Sequence, residues 1–172
     1  MTDVKKDIKK LTLTELKKQS KQLDATEEFF VTIGESEYKL THDVVFRKTK
    51  QHALLEDMLK FFNSIEGHNV DWLEMASPYT ALLIIKHFTS LEVPNDVDKA
   101  LDMLTVMIDL DAITPILNVL PEDETNKIFE LLKQTVENIK SNVEEAEKEA
   151  MELADQISNE ELKEMIEGND GE

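Results

Sequence analysis

The side chains of this 172-residue chain that could move a proton or hold a metal ion are four histidines and thirty-seven acids, with no cysteine among them. A metal site usually gathers its ligands at short spacings, three or four residues apart on a helix. His42, His52, His68 and His87 are widely separated, and none stands at that distance from another. Surface or helix-capping roles are the default for them, and no metal or cofactor is expected. Asp96, Asp98 and Asp102 have an outward likeness to a calcium loop. They lack its central glycine and closing glutamate, so helix capping and solvation account for them better. A pair of carboxylates performs acid–base work only where a partly desolvated cleft drives two pKa values apart. The acids here fall mainly on the polar faces of helices, where water solvates them. Four scattered glycines cannot build a nucleophile elbow or a phosphate-cradling loop. No catalytic residue is assigned, and enzyme activity is not expected. Met103, Met107 and Met75 fit ordinary core packing, with a methionine-lined partner groove as the alternative.

With chemistry set aside, shape and charge carry the reading. From Pro121 to Ile157 the sequence predicts one long amphipathic helix. Its apolar stripe runs from Ile128 and Leu132 through Ile139 to Val143, Ala146, Ala150, Leu153 and Ile157, at steps of three and four. Two readings of that stripe stay open. In one, the helix closes a bundle as far as Ile139 and the rest is a solvated arm. In the other, the narrow, alanine-rich seam Val143, Ala146, Ala150, Leu153 and Ile157 docks on another helix, from a second copy or a partner protein.

The net charge is −18 and unevenly spread. Residues 1–23 hold seven lysines against three acids, whereas residues 121–172 hold seventeen acids against five lysines. So acidic a body repels phosphates and anionic lipid, and direct nucleic-acid or membrane binding is not expected. The lysine-rich segment suits phosphate contact or pairing with the chain's own acidic helix. No apolar run reaches membrane-spanning length and no signal core opens the chain, so a soluble, intracellular protein is expected.

Few glycines and prolines favour long helices. Thr12 and Glu15 are placed for a capping box over a short helix from Leu11 to Leu23. Phe29, Val31 and Ile33, then Tyr38 and Leu40, alternate with polar neighbours across Gly34-Glu35-Ser36-Glu37, which predicts a hairpin with a four-residue connection. Val44, Val45 and Phe46 form a third short strand or lead into the next helix. That helix spans Gln51 to Glu66, with Leu54, Leu55, Met58, Leu59, Phe62 and Ile65 on one face and Gly67-His68-Asn69 as its stop. Asp71 caps a single turn, and Ser77-Pro78 opens a separate helix. Ala81 to Ile85 is apolar all round, marking the most buried helix. Asn95 or Asp96 caps the next, with Val97, Leu101, Leu104 and Ile108 inward. Thr114-Pro115 starts a short helix, and Ser158 with Glu161 suggests a final one.

The stretch Phe29-Phe-Val-Thr-Ile-Gly-Glu-Ser-Glu-Tyr-Lys-Leu40 resembles the N-terminal hairpin of siphovirus-type phage tail assembly chaperones. Asp109 through Ala112-Ile-Thr-Pro-Ile-Leu-Asn-Val-Leu-Pro-Glu-Asp-Glu to Phe129 is similar to their helical portion. The likeness covers residues 27–140, and the lysine-rich opening departs from the family's usual short lead-in. The resemblance implies a non-enzymatic factor in the host cytoplasm that binds the tape measure protein, or another helical tail protein, before the tail tube forms. The expected architecture is mainly α: a helical bundle with a small N-terminal β-hairpin and a long acidic C-terminal helix. Residues 1–26 form a lysine-rich segment, 27–140 the hairpin and bundle, and 141–172 an acidic helical arm and tail. An acidic adaptor of phage or bacterial origin is the rival reading.

Overall fold

The computed structural model describes the backbone of residues 8–65 and 72–167, and side chains over residues 8–64 and 74–155. The stop at Gly67-His68-Asn69 and the Asp71 cap lie outside the described residues. The chain divides into two compact units, residues 1–129 and 130–172.

Helix α1 (Leu13–Lys21) starts where Thr12 Oγ1 accepts the Glu15 amide at 3.2 Å. The reciprocal half of the capping box is absent, because the Glu15 carboxylate instead accepts from Gln19 Nε2. Strands β1 (Thr26–Ile33) and β2 (Ser36–Asp43) pair antiparallel with Phe29 opposite Leu40 and Val31 opposite Tyr38. Ile33 already pairs with Ser36, so the connection is two residues rather than four. Gly34 sits at φ +63° while Glu35 does not share the positive region, the sign pattern of a type II′ turn. Gly34→Ala should therefore cost about 1 kcal/mol through backbone strain alone, since a Cβ there would meet no other atom. A urea midpoint unchanged by this substitution would contradict that conformation.

Phe29, Val31 and His42 occupy the buried face of the hairpin, and Phe30 the exposed one. The chain after the third helix closes the edge of β2. There the Thr41 amide donates to Ser90 Oγ and the Ser90 amide to the Thr41 carbonyl, both at 2.9 Å. Val44 to Phe46 form no third strand; they lead into α2 (Lys48–Ile65). Phe46 is buried and stacks on Phe88, with ring centroids 3.7 Å apart and planes within 4°.

The buried face of α2 is rotated from the predicted one. Leu54, Met58 and Phe61 are fully buried, whereas Leu59 is 44% exposed. Two adjacent phenylalanines cannot both point inward, and Phe61 takes the inner place by stacking on Tyr79 at 4.1 Å. Helix α3 (Trp72–Phe88) is continuous and carries Pro78 inside it, so the predicted break at Ser77-Pro78 does not occur. Proline removes one rung of the helical ladder. Ala76 and Tyr79 on either side of it are buried, and tertiary packing outweighs the local stop. As expected, α3 is the most buried helix, with Leu82 to Ile85 and Phe88 almost wholly shielded.

Asp96 caps α4 (Val97–Asp109) by accepting the Lys99 amide at 3.1 Å. Ala100, Leu104 and Met107 are its buried side chains; Ile108, near its end, is half exposed and drops out of the predicted stripe. Asp111, at φ +50°, turns the chain into α5 (Ile113–Leu117). Pro121 precedes α6, which runs Glu122–Glu167. The Ser158/Glu161 pattern starts no new helix, because the backbone continues through it. The α6 turns up to Phe129 belong to the first unit, where Glu124 accepts the Phe46 amide at 3.3 Å and pairs with Lys127 at 2.7 Å. The fold is thus mainly α with one small antiparallel hairpin.

Candidate functional site

In the second unit, Leu132 is buried and Val136 and Ile139 are half-buried, but every side chain from Ser141 to Asp155 is exposed. Four of the five predicted seam residues lie on that stretch. Val143 is 51% and Leu153 58% exposed, with the exposed alanines Ala146 and Ala150 between them on the same helical face. Ile157 continues the same spacing on the α6 backbone, and its side chain lies outside the described ones. Lys140, Glu147 and Glu149 flank the seam, and Glu144, Glu145 and Glu152 make the helix surface beyond it acidic. Such a face offers two bulky apolar contacts separated by a shallow two-alanine floor, a shape suited to another helix.

The first unit holds an apolar groove of about 330 Å³ between the hairpin and α4–α5. Val31, Tyr38, Leu40, Met103, Met107 and Leu110 are among the residues lining it. Two of the three singled-out methionines meet there; Met75 does not.

The histidines serve separate local purposes. His42 packs its ring against Phe29 at 5.6 Å, and its Nδ1 donates to the Asp43 carbonyl at 2.9 Å. His52 is exposed, and His68 lies outside the described residues. His87 joins a charged cluster that sequence reasoning did not find. Asp57 on α2 accepts from Lys86 Nζ at 2.7 Å, from Lys60 Nζ at 2.9 Å and from His87 Nε2 at 3.0 Å. Burial would raise the Asp57 pKa, but the bonds from Lys86, Lys60 and His87 outweigh it and bring it down to about 2. Burial pushes His87 down despite the opposing pull of Asp57. Burial, with the Asp57 charge adding to it, holds Tyr79 at about 12. A carboxylate this acidic, already bonded to three donors, is a poor general base; its evident work is to tie α2 to α3. The signal available in the sequence was an aspartate one turn from Leu54 on the inward side of α2, facing a helix that ends in Lys86-His87.

Among the described residues, no three His, Asp or Glu side chains converge as a metal site. Among them, too, no helix is long and apolar enough to cross a membrane. No protein of curated function and no solved structure matches the chain. Residues 13–166, from the start of α1 almost to the end of α6, match YomO, a Bacillus phage-derived family. The match covers most of the sequence, and the chain belongs to the YomO family.

Proposed function

We propose that this chain is a non-enzymatic assembly factor of phage tails that binds the tape measure protein, or another helical tail protein, in the host cytoplasm and keeps it soluble before the tube forms. The observation that carries the reading is the exposed seam on α6. Val143 and Leu153 are apolar and more than half in water, and fully covering such side chains contributes about 1.5–3 kcal/mol each. Val143, Ala146, Ala150, Leu153 and Ile157 form the contact surface. The acidic rim keeps the resulting complex hydrated and discourages aggregation of a long amphipathic client. Membership of a phage-derived family agrees with this setting.

Co-expression with the tape measure protein tests the proposal. The two should co-purify, and loss of the gene should leave tails defective; no co-purification together with normal tails would end it. Ala150→Glu with Leu153→Glu should weaken capture at least tenfold, which corresponds to about 1.4 kcal/mol. Because both positions are exposed, the thermal midpoint should stay within a few degrees. The net charge of −18 favours one second reading, an acidic adaptor for a basic protein. Such a complex would dissolve in high salt, whereas a seam-driven one would largely survive.

A further inference from the structure

Helix α1 is amphipathic, yet none of its side chains is buried. Leu13 is 68% and Leu16 50% exposed, and Leu23, in the 3₁₀ turn that follows, is also exposed. Leu13, Leu16, Ser20 and Leu23 fall at offsets of zero, three, seven and ten. Val143, Ala146, Ala150 and Leu153 fall at the same offsets. The two faces therefore share one coiled-coil spacing, and both are open to water. The residues beside them differ in charge: Lys17 flanks the middle of the α1 face, and Glu147 and Glu149 flank the middle of the α6 face.

We infer that α1 of one copy docks antiparallel on the α6 seam of a second copy. In that register Leu13 faces Leu153, Leu16 faces Ala150, Ser20 faces Ala146 and Leu23 faces Val143. Leu16 then fills the space over Ala150, while Leu13 with Leu153 and Leu23 with Val143 make apolar pairs at the two ends. The flanking positions then place Lys17 beside Glu147, Gln19 beside Glu149, and Asp24, which already pairs with Arg47, beside Lys140. The parallel alternative loses both charge pairs. It sets Lys17 beside Asn142 and forces Asp24 against Glu149, a like-charge contact. The charge pattern therefore favours the antiparallel direction.

The contact joins two different surfaces, so it either closes reciprocally into a dimer or repeats along an open chain. At three helical turns it is smaller than a standard stable interface, and association is concentration-dependent and weakened by salt. The inference does not rest on the tail-protein reading; a tail protein at the same seam would compete with α1.

The chain has no cysteine, so single-cysteine variants report the contact cleanly. Ser20→Cys protein, mixed under mild oxidation with separately purified Ala146→Cys protein, should form a two-chain disulfide. It should do so about ten times faster than with Lys148→Cys, which lies on the opposite face of α6. Lys17→Glu in the first protein should slow the reaction, and Glu147→Lys in the second should restore it. All these positions are exposed, and circular dichroism checks that each variant remains folded. Equal rates with Ala146→Cys and Lys148→Cys would overturn the inference. So would a Ser20→Cys/Ala146→Cys double variant that gives only single-chain product at every concentration.

Discussion

Phe61→Ala should cost the first unit about 4 kcal/mol, the upper range for removing a fully buried aromatic ring. The ring is wholly shielded, lies in the same α2 row as Leu54 and Met58, and stacks on Tyr79 at 4.1 Å with planes within 15°. Its removal loses both the transfer free energy of the side chain and the contacts of a cavity that neighbouring helices cannot refill. A unit of this size should lose roughly 15 °C of thermal midpoint. Leu59→Ala is the matched control, because Leu59 is 44% exposed and its truncation should cost under about 1 kcal/mol. Urea titrations of the two variants decide which face of α2 is inward. If Leu59→Ala were the more damaging, the observed rotation of the helix would be wrong.

The second large effect should come from Asp57→Ala. Lys86 and His87 keep only 13% and 15% side-chain exposure around that carboxylate, so its loss leaves a shielded ammonium without its anion. Breaking a fully buried pair costs about 3–5 kcal/mol; the residual water access here reduces that to about 2–3 kcal/mol. Asp57→Ala combined with Lys86→Ala should cost less than the two single changes summed, because the second removes the orphaned charge.

The same cluster sets the acid response. Asp57 has a folded pKa of about 2, below its ordinary 3.8. On acidification the unfolded chain therefore takes up that proton first. The stability contributed by Asp57 is complete above about pH 4 and is lost as the pH falls towards 2. His87 is also lowered from 6.5, so the unfolded chain binds its proton first as the pH drops through 6.5, and stability declines from there. Removing Asp57 withdraws the one group that supports a charged His87. Asp57→Ala should therefore steepen the decline below pH 6.5 and abolish the loss belonging to Asp57 between 4 and 2. Stability of the variant measured by urea titration from pH 7 to 2 checks both signs.

Much of the fold was legible where local pattern and tertiary demand agree. Alternation in Phe29, Val31 and Ile33 marked the hairpin, the all-apolar run Ala81 to Ile85 marked the central helix, and Asp96 and Pro121 marked two helix starts. Legibility failed where two local answers were close in energy. Leu54, Leu55, Met58, Leu59, Phe61 and Phe62 spread apolar side chains over about 160° of the circumference of α2. Periodicity alone cannot say which sector faces α3. Ser77-Pro78 and Ser158/Glu161 are good helix starts taken alone, yet in both places the chain was already helical. A cap preference of about 1 kcal/mol does not outweigh an established, buried helix at the first of them. The Asp57 cluster was hidden because it joins residues thirty positions apart. The shared helical face of Val143, Ala146, Ala150 and Leu153 was legible as periodicity, and the structure adds that these side chains stand in water.

As a protein contact surface, the exposed seam should bind a helical client; a bare solvated face would not. Titrating the full chain against a purified helical fragment of the tape measure protein by calorimetry, with the Ala150→Glu/Leu153→Glu variant alongside, tests it directly. The native chain should bind saturably, with the negative heat-capacity change of apolar burial, and the variant should bind at least about tenfold more weakly. Equal affinity for both, or a heat-capacity change near zero, would contradict it.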